Sequence, residues 1–113
     1  MANHVNLSAQ DAAAVEEFVR RVREAVGTNL ITLKLFGSKA RGQDVQDSDI
    51  DVLVVVRDDR VAAEDLVLDI AFEVNVPHGV YISPRVVTAA MLADPVWRST
   101  AFVHAVEREG VPL

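Results

Sequence analysis

The sequence contains no cysteine. That excludes a disulfide framework and any thiolate metal site, and it leaves cysteine usage silent on redox compartment. Basic residues are also scarce, with eleven Lys and Arg against seventeen Asp and Glu and a formal charge of −6. So acidic a chain lacks the surface for a sequence-independent grip on nucleic-acid phosphates, so no direct nucleic-acid binding is expected and any nucleotide contact must be local. No apolar run approaches the length of a membrane span, and the polar opening MANHVNLSAQ lacks the apolar core of a signal peptide. No membrane association is expected, and a cytoplasmic protein is the default. Internal repeats, low-complexity tracts and Pro/Gly/Ser-rich linkers are absent too. At 113 residues, half of them apolar, the chain suits one compact core, and residues 1–113 are expected to form a single domain. His4, His78 and His104 are too dispersed to suggest a metal cluster.

What is present alternates between helical and extended patterns. Leu7, Ser8 and Asp11 resemble a staple and capping box, and Val15, Phe18, Val19, Val22 and Val26 then recur at helical spacing until Gly27, which predicts a helix over 9–26. LITLKLF alternates as a half-buried strand does, whereas DIDVLVVV is a β-branched run typical of a strand buried on both faces. A second helix is predicted over 61–75, stopped by Pro77 and Gly79, and a third strand at VYISPRVV, where Pro84 marks an edge or bulge. Asp94 and Pro95 open a last helix that Gly110 closes, with Trp97 as its anchor. This order implies an α/β (α+β) fold, a mixed β-sheet flanked by helices.

The segment LFGSKARGQDVQDSDIDVLVVV carries the chemistry. Gly37 and Ser38 directly follow the first strand, where a turn can present backbone N–H groups to an anion, and Lys39 and Arg41 add positive charge nearby. Asp49 and Asp51, two apart on a strand, point to one face with Cα atoms roughly 7 Å apart, close enough to share a divalent cation. Such a cation would keep both carboxylates ionised and could bridge to a phosphate chain on the Gly-Ser turn. Either half alone has an ordinary reading, a common turn or a solvated acidic pair. The array Gly-Ser, ten residues, Asp-x-Asp arises by chance at only about one position in 10⁵, and here both halves abut strands.

At these residues the sequence resembles the DNA polymerase beta-like nucleotidyltransferases, whose G-S-x10-D-x-D signature is reproduced by Gly37, Ser38, Asp49 and Asp51, and within them the minimal nucleotidyltransferase (MNT) subgroup. The resemblance implies a nucleotidyltransferase fold, Mg²⁺ as cofactor, ATP or another nucleoside triphosphate as substrate, and transfer of a nucleoside monophosphate with loss of pyrophosphate. Gly37 and Ser38 would hold the triphosphate, with Arg41 as a further phosphate contact, and Asp49 and Asp51 would ligate the metal and act in catalysis. The MNT subgroup also resembles the antitoxin half of HEPN–MNT toxin–antitoxin pairs, which implies a HEPN-type protein partner, possible oligomerisation and AMP transfer to that partner.

One expected part is missing. Active relatives supply a third carboxylate from a later strand, and HGVYISPRVV has none; Tyr81 stands where it would be sought. A protonated phenol is a poor Mg²⁺ ligand. Asp69 and Glu73 are the substitutes in sequence, although they fall on the polar stripe of the second helix. Two further readings follow: a catalytically weakened binding protein that neutralises its partner by occlusion, and a small-molecule nucleotidyltransferase of the aminoglycoside type, for which so short a chain offers little acceptor pocket. Leu68 and Phe72 lie outside the main apolar face of the second helix, either as an interface patch or as packing within the fold.

Overall fold

The computed structural model describes residues 7–37, 39–40 and 49–113. Helix α1 (Ala9–Val26) begins where the Ser8 hydroxyl accepts the Asp11 N–H at 3.0 Å. It ends at Gly27, whose φ of +64° suits a residue without a side chain. A 3-10 turn (Gly27–Asn29) leads into β1 (Leu30–Phe36). Then come β2 (Ile50–Val56), α2 (Arg60–His78), β3 (Ile82–Thr88), the short helices α3 (Ala89–Ala93), α4 (Pro95–Arg98) and α5 (Ala101–Glu109), and β4 (Val111–Pro112).

The four strands form one mixed sheet in the order β3-β2-β1-β4. β1 runs antiparallel to β2, with Leu33 opposite Val54 and Phe36 opposite Asp51. β3 lies parallel to β2, so the connection between them must cross over, and α2 fills it. Strand alternation then separates two faces. Ile50, Val52, Val54 and Val56 of β2 pack with Val15, Phe18 and Val22 of α1 and Val67, Ile70 and Val74 of α2. Leu53 and Val55 face the other way, onto Val87, Val106, Phe36 and Phe102. The unbroken apolar run of β2 is therefore needed, because apolar packing covers both of its faces.

β3 is an edge strand and its edge is blunted. The side-chain amide of Asn75 takes both backbone groups of Ile82, accepting its N–H at 2.8 Å and donating to its carbonyl at 3.1 Å. Two residues on, Pro84 has no N–H to offer, which is the tolerated place for proline in a sheet.

The elements differ from the sequence expectations in several places. α2 extends to His78 and contains Pro77, because a missing N–H in the last turn removes only one helical bond; Gly79, at φ +67°, closes the helix onto the Asn75 carbonyl. Val80 also donates to that carbonyl, so β3 starts at Ile82. The expected last helix is broken into α4 and α5, and the short α3 ahead of it was not expected. Asp94 does cap α4 ahead of Pro95, but Thr100 caps a new helix at α5 through the Val103 N–H. β4 was not expected; its two residues pair with Lys34 and Leu35. Among the described residues no helix is long and apolar enough to cross a membrane.

Candidate active site

β1 ends at Phe36 and Gly37 follows at φ +80°. The antiparallel register puts Phe36 opposite Asp51, so the backbone of Gly37 lies against the Asp51 side chain. A Cβ at position 37 would collide with Oδ2 of Asp51 and stand 3.3 Å from its Cγ. Glycine thus serves twice here, permitting the left-handed turn and leaving room for a carboxylate. Asp51 is the second residue of β2 and half-buried; Asp49, just before the strand, is exposed. Burial pushes the Asp51 carboxyl above the ordinary carboxylate range, the neighbouring Asp49 charge raises it further, and the Arg85 guanidinium pulls it back. The expected acidic pair is present, with one member forced toward low dielectric beside the other.

Ser38 and Arg41, expected to bind the triphosphate, lie outside the described residues. Lys39 does not hold its charge out to an anion as expected. It is buried, and its ammonium pairs with the Asp11 carboxylate in the first turn of α1 at 3.0 Å. That contact ties the segment after β1 to the N-terminus of α1.

β3 supplies the other flank. The Ile50 N–H donates to the Tyr81 carbonyl at 2.8 Å, and the parallel register places Ile82 beside Ile50 and Ser83 beside Asp51. Continued by one residue, that register sets Tyr81 next to Asp49. Tyr81 is 65% exposed. Asp69 and Glu73 are not substitutes for a third carboxylate: α2 packs on the opposite face of the sheet, and Glu73 pairs with Arg21 of α1. Among the described residues no three His, Asp or Glu side chains gather closely enough to hold a metal ion. Two hard carboxylate oxygens and a space kept clear by Gly37 still fit Mg²⁺, which keeps several waters and takes few protein carboxylates when it binds with substrate phosphates.

Sequence reasoning missed Arg85. It sits beside Leu53 in the parallel register, on the face that carries Asp51, and its guanidinium carbon lies 4.9 Å from the centroid of the Phe102 ring. The signal was available in the alternation of Tyr81, Ser83 and Arg85, once β3 is placed parallel to β2.

Residues 15–90, which contain Gly37, Asp49, Asp51, Tyr81 and Arg85, match the nucleotidyltransferase domain. The chain belongs to that family. This nucleotidyltransferase-family chain is 36% identical over 76 residues to "Putative protein adenylyltransferase MJ1305" of Methanocaldococcus jannaschii, a match covering 65% of the chain and 52% of that protein. The chain thus spans about half the length of this curated relative. Among solved structures it is similar to a crystal structure of a toxin–antitoxin with AMP-PNP, at a TM-score of 0.52 and 24% identity over 86% of this chain and 70% of the other. It is also similar to a structure designated "putative minimal nucleotidyltransferase", at a TM-score of 0.50 and 24% identity over 90% and 87% of the two chains. Likeness at that identity concerns the fold, and the mixed four-stranded sheet with flanking helices is the nucleotidyltransferase fold.

Proposed function

We infer that residues 1–113 act as one Mg²⁺-dependent nucleotidyltransferase domain that binds ATP at Gly37, Ser38, Asp49 and Asp51, with Arg41 as a further phosphate contact, and transfers AMP to a protein partner. The observation that carries this reading is the Gly37–Asp51 contact, in which a left-handed glycine leaves space for a half-buried carboxylate at the mouth of two strands. A structural turn has no need of an acid there. The ion would be held by Asp49 and Asp51, and when bound it supplies charge neutralisation for the triphosphate. In the transfer, an acceptor hydroxyl oxygen forms a bond to the α-phosphorus while the bond from that phosphorus to the α–β bridging oxygen breaks. Pyrophosphate leaves with the bridging oxygen, and the hydroxyl proton passes to solvent. The contribution of the chain is to fix the phosphates in line with the acceptor and to exclude alternative poses.

A protein acceptor is favoured by the outer face of α2. Val61, Leu68, Phe72 and Val76 form an exposed apolar stripe along it, opposite the buried Val67, Ile70, Ala71 and Val74. Of the two readings of Leu68 and Phe72, packing within the fold is not what this chain does with them. A toxin partner, of HEPN type, would make the chain the antitoxin of a pair in the cytoplasm. The second reading, neutralisation by occlusion with little turnover, is favoured by Tyr81 standing beside Asp49 with no carboxylate on that flank.

Calorimetry with Mg²⁺-ATP tests the site. Binding should be measurable, weaker in EDTA, and lost in the Asp49→Asn/Asp51→Asn double variant; equal affinity in all three conditions would end the metal-bridge reading. Incubation of the partner with α-labelled ATP then separates transfer from occlusion, since occlusion leaves the partner unlabelled while nucleotide still binds.

A further inference from the structure

The residues on the face of Asp51 are Tyr81, just ahead of β3, and Ser83 and Arg85 within it, two polar groups and one cation. Asp51 and Arg85 are diagonal neighbours across the parallel pair, roughly 7–8 Å apart at Cα and within reach of a long side chain. The guanidinium is not left to roam. It lies over the Phe102 ring, and that ring is braced edge-on by Phe36 at 5.7 Å and by Trp97 at 6.4 Å. Phe36 is the residue opposite Asp51 and the one before Gly37. One aromatic cluster therefore positions both the cation of β3 and the turn of β1.

Stacking covers one face of a guanidinium and leaves its edge, with the forked N–H donors, open. Arg85 is exposed, and among the described residues it forms no salt bridge, although the Asp51 charge reaches it across the strand pair. Lys34, a second cation of the sheet on this face, lies against Gly110 in a cleft of about 400 Å³ between β1, β2 and α3 to α5. Two carboxylates and a triphosphate carry several more negative charges than one divalent cation cancels, and β3 contributes no acid. A fixed guanidinium matches phosphate oxygens in geometry and charge.

We propose that Arg85 is a phosphate-binding residue of this site, donating to an oxygen of the bound nucleoside triphosphate from a position fixed by stacking on Phe102. This rests on the nucleotide-site reading above. It identifies the β3 side of the site as a cationic wall, in contrast to a wall of metal ligands.

The test is ATP binding by calorimetry in Mg²⁺ for the wild type, Arg85→Met, Arg85→Lys and the Asp49→Asn/Asp51→Asn pair, with a melting curve for each. Arg85→Met keeps an apolar stem on Phe102, so it should melt close to the wild type and bind ATP about tenfold more weakly, while Arg85→Lys recovers part of the loss. Unchanged affinity in Arg85→Met would show that Arg85 only packs on the ring, and so would a loss explained by a lowered melting temperature and not recovered by lysine. If the wild type binds ATP and the aspartate pair is essential while Arg85→Met is silent, the Arg85 proposal alone fails. If the wild type does not bind ATP, the site reading fails and takes this proposal with it.

Discussion

Gly37→Ala adds one methyl group at the end of β1, and the structure gives the cost in two parts. An L-residue at φ +80° carries a left-handed penalty of about 1–2 kcal/mol. The new Cβ also overlaps Oδ2 of Asp51 and sits 3.3 Å from Cγ, so the carboxylate must leave its rotamer well at about 0.5–1.5 kcal/mol, or the strand ends must part. The sum is about 2–3 kcal/mol, and at ~4 °C per kcal/mol for a domain of this size the melting temperature should fall by about 10 °C. Because the displaced oxygen belongs to a proposed metal ligand, Mg²⁺-ATP affinity should fall by at least about tenfold. Gly27→Ala is the internal control. Its φ is +64° and its Cβ meets nothing within 4 Å, so it should show the backbone penalty alone and leave ATP binding untouched. Thermal denaturation followed by circular dichroism, with calorimetry of ATP binding, reads both quantities. If the two alanine variants melt alike and both bind Mg²⁺-ATP as the wild type does, the Gly37–Asp51 contact has no bearing on the site.

Asp11→Asn should destabilise the chain by roughly 1–3 kcal/mol, since it removes the charge-assisted contact between the Asp11 carboxylate and the buried Lys39 ammonium; an unchanged urea midpoint would show that the pair is not what anchors the segment after β1. For Asp51 the sign follows from a raised carboxyl: the folded state binds its proton more tightly than the unfolded chain, so stability of the metal-free protein falls as pH rises through the raised value. Asp51→Asn should therefore melt higher than the wild type at pH 7 without metal while losing Mg²⁺-ATP binding, and a lower melting temperature would contradict the desolvation account. Phe72→Asp should keep the isolated chain within about 0.5 kcal/mol of the wild type, because the ring is 70% exposed, and should abolish association with the partner; a variant that unfolds would return Phe72 to the core.

The strands and the acidic pair were legible because their signals are local. IDVLVVV specifies a doubly covered strand, and Asp49 just ahead of it and Asp51 within it stand where an apolar pattern has no use for acids. α1 was legible down to its cap, since Ser8 and Gly27 are read from adjacent residues. What escaped depends on partners distant in sequence. Pro77 looks like a stop until Gly79 is seen closing onto Asn75. Val111 and Pro112 are too few to show alternation, and only the open edge of β1 makes them a strand. Lys39 reads only as positive charge near the turn, because sequence proximity to Gly37 says nothing about Asp11 twenty-eight positions earlier. Arg85 went unnoticed because its significance lies in register.

Register is also what gives this small sheet its chemistry. The antiparallel pairing of β1 with β2 sets Gly37 against Asp51, and the parallel pairing of β2 with β3 brings Arg85 diagonally to the same carboxylate from the other side. A one-residue slip in either ladder would turn Asp51 into the apolar layer beneath α1 and α2 and expose Val52, so the two-sided core that stabilises β2 also enforces the placement of the acid. In the metal-free protein that placement is unfavourable, because burial and the Asp49 charge both resist ionisation of Asp51. A cation between the two carboxylates would recover the cost, and would do so only in the folded register. Folding energy, supplied by the apolar residues that alternate with the aspartates, is thereby held at the site as a preference for bound positive charge.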